Sequence, residues 1–241
     1  MSEPARDIVI AHTSDVHVDH EYTARANGGD GARPLAAVLT AAKCAKADVV
    51  LLCGDTFDCH RIPLTLARRA AGLIRAAGLP VVLLPGNHDP AIEEAVWSVG
   101  GFSEAANLRI LGVTCGESVV FESLGLEVWG RPHRGYGDME PLENPPARRT
   151  RWRAAMAHGH YEPAPDRGSR PRACWLIGDE DIAAARADYL ALGHWNRAVK
   201  VGPDDAAAYY SGSPDYAKTI NVARLCVDGA VVVERLSVDL S

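Results

Sequence analysis

Asn87, His88 and Asp89 stand in a row directly behind the apolar run Val81-Val82-Leu83-Leu84 and the turn pair Pro85-Gly86. The Asn87 amide oxygen can coordinate a hard cation, and His88 can move a proton near neutral pH. Asp89 can orient and charge-stabilise that imidazole. One polar turn behind an apolar run is common, but here the pattern recurs. Asp15-Val16-His17 comes shortly after residues 8–11, and Gly54-Asp55-Thr56-Phe57-Asp58 after 49–53. His158 follows 153–157, and Gly193-His194-Trp195-Asn196 follows 189–192. Carboxylate, imidazole and amide oxygen together suit manganese, iron or zinc rather than calcium. Asp15 and His17 are two residues apart, so an extended backbone puts both on one side, able to grip one ion. Asp55 has two carboxylate oxygens with which to bridge two ions.

Bringing such groups together requires strands that end at one edge of a sheet, where open α/β folds gather their ligands. Residues 8–11, 49–53 and 81–84 read as short buried strands. Between them, 34–46 and 64–77 have helical character. The first has Pro34 near its first turn and Leu35, Val38, Leu39 and Ala42 on one face; the second is stopped by Gly78. This alternation implies right-handed crossovers and a mainly parallel sheet. Residues 108–111, 119–121 and 126–129 are short and turn-separated, which suits antiparallel strands. Residues 20–33, with three glycines, read as a mobile loop, and 131–151 as a long functional loop. A strand at 153–157, an irregular loop at 162–172, a helix near 179–187 and strands at 189–192 and 208–210 follow. Residues 222–227 and 230–236 form a hairpin around Asp228-Gly229.

A chain of 241 residues with 47% hydrophobic content can bury one good core, and a single domain over 1–241 is expected. A net charge of −6 excludes an obvious polyanion binder with a basic face. The six cysteines are scattered without a C-x-x-C pair, which suits reduced thiols and a cytoplasmic location. The amino terminus is polar, and no apolar run is long enough to span a bilayer, so no membrane partner is expected.

In their order, these motifs resemble the calcineurin-like metallophosphoesterases, whose pattern is D-x-H, G-D-x-x-D, G-N-H-D, a later His and G-H-x-H. The resemblance covers almost the whole chain and implies that family's α/β fold, a four-layer αββα sandwich. Within the family, Arg61-Ile62-Pro63 after the second motif, the run 188–194, and Tyr210-Ser211-Gly212-Ser213-Pro214 look most like the SbcD-type DNA exonuclease subunits. The resemblance implies two divalent metal ions, manganese favoured, with iron or zinc as the others. One ion is expected on Asp15, His17 and Asp55, the second on Asp55, Asn87, His158 and His194. His88 is the expected proton donor or transition-state stabiliser, paired with Asp89. Two such ions clamp a phosphate and activate water for in-line attack, and the leaving oxygen needs a proton.

Two departures stand out. The final family histidine, expected on the first ion, is Asn196, a harder and weaker oxygen donor. His160, two residues beyond His158, is the candidate to compensate. Only 25 residues follow Tyr216, so the C-terminal capping region of SbcD-type subunits is expected to be absent. For substrate contacts, Arg131 and His133 in the long loop, with Arg134 beside them, and His60 behind the second motif are the candidates. His12, His20 and His133 have no motif context and otherwise read as solvated. Trp195 suits either stacking on a base or core packing.

The leading expectation is a dinuclear phosphodiesterase whose partner is a phosphoester substrate, with single-stranded or end-exposed nucleic acid the class the SbcD resemblance suggests. An alternative is a phosphodiesterase or phosphatase for small phosphoesters such as cyclic nucleotides, favoured by the acidic charge. A non-catalytic metal-binding scaffold is the third reading, motivated by Asn196 alone and opposed by the intact Asn87-His88-Asp89.

Overall fold

The computed structural model describes residues 6–168 and 173–240. Two six-stranded sheets lie face to face, with helices outside. In chain order the elements are β1 (Ile8–Thr13), α1 (Glu21–Ala26), α2 (Arg33–Cys44), β2 (Val49–Cys53), α3 (Leu64–Ala77), β3 (Val81–Leu84) and β4 (Leu108–Ile110). They continue with β5 (Ser118–Phe121), β6 (Leu126–Gly130), β7 (Trp152–His158), β8 (His160–Tyr161), β9 (Leu176–Ile177) and α4 (Asp179–Ala185). The remainder are β10 (Tyr189–Gly193), β11 (Val199–Val201), β12 (Ala208–Tyr210), α5 (Pro214–Ala217), β13 (Thr219–Leu225) and β14 (Val231–Ser237).

The first sheet runs β14-β13-β1-β2-β3-β4 and the second β11-β12-β10-β7-β6-β5. The central strands of each are parallel, so their carboxyl ends share one edge. Strands covered on both faces must be apolar at nearly every position, and β2 and β3 are buried throughout. The period-two alternation of a strand divides their side chains between layers. Ile8, Ile10, Val49, Leu51 and Val82 turn inward to meet Leu126, Val128, Ala154, Met156 and Tyr189 of the second sheet. Val9, Ala11, Val50, Leu52 and Leu83 turn outward onto Leu35, Val38, Ala70 and Ile74 of α2 and α3. On the far side, Ile182 and Ala185 of α4 cover Ala155, Ala157, Leu190 and Leu192. The result is the expected αββα sandwich.

Differences from the sequence reading are local. β4 pairs parallel with β3, Val81 opposite Leu108, rather than antiparallel, because a long crossover carries the chain back to the same end. Only the β5–β6 hairpin in this region is antiparallel. The glycine-rich segment at 20–33 contains α1, whose first turn is capped by His20 Nδ1 accepting from the Tyr22 amide at 3.2 Å. The long loop at 131–151 stands without strand or helix. The irregular loop at 162–172 lies partly outside the described residues. His12 is fully buried between the sheets, its Nδ1 2.8 Å from the Tyr189 hydroxyl, and is not a solvated histidine. Among the described residues, no helix is long and apolar enough to cross a membrane.

Candidate metal centre

The loops behind β1, β2, β3, β7 and β10 meet at the shared sheet edge. The loop after β1 is laced to the loop after β2 by backbone bonds: the Asp15 amide donates to Gly54 O at 3.0 Å, His17 to Asp55 O at 3.2 Å and Val18 to Thr56 O at 3.0 Å. Val16 and Val18 sink into the core while Asp15 and His17 turn to the site. The side-by-side placement is therefore as expected, but not the extended backbone. Asp15 and His17 have φ of 53° and 48°, and Asp55 has 50°. Non-glycine residues in the left-handed region are uncommon and concentrate at functional sites.

The motif glycines make room for these groups. A Cβ on Gly54 would lie 2.0 Å from His158 Nδ1, and one on Gly86 would lie 2.2 Å from an Asp55 oxygen. Larger residues would displace the imidazole and the carboxylate.

Potential ligand atoms of Asp15, His17 and Asp55 lie within 4.8 Å of one another, as do those of Asp55, His158 and His194. Asp55 thus belongs to both groups. Its Oδ2 is 3.0 Å from His158 Nε2, and the Asn87 oxygen is 3.1 Å from the same nitrogen. His158 is fixed from behind, its Nδ1 donating to Cys53 O at 3.0 Å and its carbonyl accepting from His133 Nε2 at 2.8 Å. The Asp15 carboxylate accepts from Ser14 Oγ at 2.5 Å and from the His194 amide at 3.0 Å.

The electrostatics of this donor set ask for positive charge. Burial raises the pKa of Asp15; Asp55 adds to the rise and His158 opposes it. Burial also works against charge at Asp55, but the attraction of His158 prevails and holds that carboxyl well below its usual range. His158 is the reciprocal case: burial opposes its protonation, yet Asp55 pushes its pKa up to about 9. A proton on His158 Nε2 then lies between the Asp55 and Asn87 oxygens, where one cation could be shared by all three. His194, through burial and the repulsion of His158, is pushed down to about 3 and is neutral, the form that ligates metal. The residues present therefore fit a cation centre.

His88 lies at the rim, its amide donating to Asp55 Oδ1 at 2.9 Å. Its Nδ1 donates to the Asp58 carbonyl at 2.9 Å and lies 3.4 Å from the Asp58 carboxylate. Asp89 does not take the expected place beside that imidazole. It is fully buried, and its carboxylate accepts from the amides of Gly86 at 2.7 Å, Phe57 at 3.1 Å and Asp55 at 3.2 Å. The expectation failed because neighbours in a tight turn point in different directions. Asp58, the last residue of the second motif, is the partner that sequence reasoning overlooked. Its carboxylate also stands 3.3 Å from His17 Nδ1.

The remaining candidates are dispersed. Asn196 is exposed and lines a cavity together with His17 and His88. His160 is engaged by Trp195, whose Nε1 donates to its Nδ1 at 3.1 Å, and its ring is 6.5 Å from that of His194. Trp195 itself packs, stacked on Tyr210 at 4.5 Å. His133, expected to meet substrate, is fully buried beneath His158 and has no surface to offer. Arg131, expected to meet a phosphate, instead pairs with Glu143 and donates to Glu140 O. Arg134 pairs with Glu117. His60 shares a 2.5 Å hydrogen bond with the exposed Tyr136.

The chain belongs to the calcineurin-like phosphoesterase family, whose family model matches residues 8–198. That family comprises dinuclear, metal-dependent hydrolases of phosphoester bonds. A stretch of 90 residues is 33% identical to the DNA double-strand break repair protein Mre11 of Aeropyrum pernix, over 35% of this chain and 22% of that protein's length. Among solved structures, TT1561 of Thermus thermophilus aligns with a TM-score of 0.60 at 11% identity, covering 95% of this chain and 98% of that one. Another aligns with a TM-score of 0.56 at 13% identity, covering 96% and 100%. At such identities the likeness bears on the fold alone.

Proposed function

We propose that the protein hydrolyses phosphodiesters with two divalent ions, one held by Asp15, His17 and Asp55 with Asn196 facing it, the other by Asp55, Asn87, His158 and His194. The observation that carries this reading is Asp55, whose carboxylate alone is common to both ligand groups. Bound there, the ions supply charge stabilisation to a phosphoryl group and make water a better nucleophile. Manganese suits the mixed oxygen and imidazole set. His88 in its protonated form keeps Nδ1–H on the Asp58 carbonyl and offers Nε2–H to the leaving oxygen. Asp89 positions this machinery by tying the loop after β3 to the loop after β2.

Nucleic-acid ends are the substrate class suggested by the Mre11-like stretch, which spans only a fifth of that protein. The cavity beside His88 favours a smaller phosphodiester, because none of the described residues lining it is a lysine or arginine to track a polyanion. The test is to strip the purified protein, reload it with manganese, iron or zinc, and follow bis-p-nitrophenyl phosphate beside metal analysis. Hydrolysis with about two ions per chain is expected. No turnover with any divalent ion would sink the proposal.

A further inference from the structure

A cavity of about 300 Å³, within the range of small-ligand sites, opens beside the centre. His17, His88, Asp58, Asn196, Tyr22 and Tyr216 line it together. Tyr22 is 69% exposed and Tyr216 70%, more than any other large hydrophobic residue described. Water is a poor neighbour for two such rings, and each offers a flat face at little conformational cost.

The chain also fixes where the rings stand. Tyr22 lies on α1 and Tyr216 on α5, two short helices far apart in sequence. Asn27, which closes α1 and is buried, donates through Nδ2 to Asp215 of α5 at 2.9 Å and to Thr23 O at 2.8 Å. One amide therefore fastens the two helices together. The aromatic part of the cavity is built rather than incidental.

We propose that Tyr22 and Tyr216 receive the nucleobase of a nucleoside phosphodiester whose phosphorus lies at the metal centre. This deepens the phosphodiesterase reading and rests on it. A nucleoside ester carries a planar ring one sugar away from its phosphorus, matching an aromatic wall beside a phosphate-directed cluster. A long strand would need a cationic track along its backbone, and this cavity is lined by Asp58 and Asp215 instead. The occupant is thus a single nucleoside unit, and stacking on tyrosine makes the site tolerant of which base it is.

The test compares two esters with the same leaving group, the p-nitrophenyl ester of thymidine 5′-phosphate and methyl p-nitrophenyl phosphate, on the manganese-loaded protein. The nucleoside ester is expected to have a kcat/KM roughly tenfold or more above the methyl ester. Tyr22→Ala and Tyr216→Ala should each cut that ratio about 5- to 10-fold, chiefly through KM, while Tyr22→Phe and Tyr216→Phe keep it. A wild-type ratio near one, or a ratio untouched by both alanine variants, overturns the proposal. If neither ester is hydrolysed, the phosphodiesterase reading has failed, and calorimetric titration with thymidine 5′-monophosphate decides the rest. Binding weakened in the alanine variants supports the stacking site; equal binding in all of them overturns it.

Discussion

The Nδ1 atom of His88 lies 2.9 Å from the backbone oxygen of Asp58 and 3.4 Å from its carboxylate. The backbone contact orients the ring and survives any side-chain change at 58; the carboxylate contact stabilises a charged imidazole. The two can be separated. His88→Asn should leave the bound metal in place and lower kcat by roughly two to four orders of magnitude, as for loss of a general acid. Esters of p-nitrophenol, whose leaving group needs no proton, should lose less than alkyl esters. Asp58→Asn retains the carbonyl and should cost about tenfold, with the same leaving-group trend. Equal losses for good and poor leaving groups would argue for charge stabilisation in place of proton donation.

Asp55 is the residue on which both proposed ions depend. Asp55→Ala should abolish turnover and reduce bound metal at both positions, because no neighbouring group supplies a shared carboxylate. Elemental analysis of the variant checks this directly. Two ions retained with near-normal turnover would mean that the centre lies elsewhere.

Asn196 faces the same cavity as His17. Replacing its amide with imidazole in Asn196→His should tighten the first ion, most for zinc, since nitrogen donors suit it better than oxygen. Manganese-supported activity should change less. Titration of zinc into stripped wild type and variant settles the point, and an unchanged zinc affinity would show that the side chain points away from the ion.

His12 gives the fold an acid limit independent of the metals. Burial depresses its pKa from 6.5 to about 3, so the native state holds it neutral. The unfolded chain takes up a proton below pH 6.5 while the native chain does not. Stability from this group is therefore complete above pH 6.5 and falls as the pH drops towards 3, by at most about 1.4 kcal/mol per pH unit. His12→Gln removes that slope. The stability gap between wild type and variant, read by urea unfolding from pH 7 to pH 4, should narrow with acid; a constant gap would refute the assignment.

The strands and their polar ends were legible because β1, β2, β3, β7 and β10 are buried on both faces and must be apolar at nearly every position, Arg153 and His12 being the interior exceptions. The end of each strand then shows as an abrupt change of residue type. The aim of a side chain inside a turn is not written that way. Asp89 comes next after His88 in sequence yet serves three backbone amides, and His133 in a polar loop sits beneath His158. α1 was hidden by its length, six residues among glycines. Tyr22 and Tyr216 reach one cavity from helices far apart in sequence that the Asn27–Asp215 contact joins, and no local pattern announces that contact.

The lacing of the loops after β1 and β2, with Asp89 pinning the loop after β3 to the latter, acts before any ion arrives. An ion entering the proposed centre would meet loops already tied to one another, so more of its binding free energy would go into affinity and less into folding than in a small zinc module. On the proposed reading, chelation should abolish turnover while leaving urea unfolding nearly unchanged, and reloading with divalent ion should restore turnover without a refolding step.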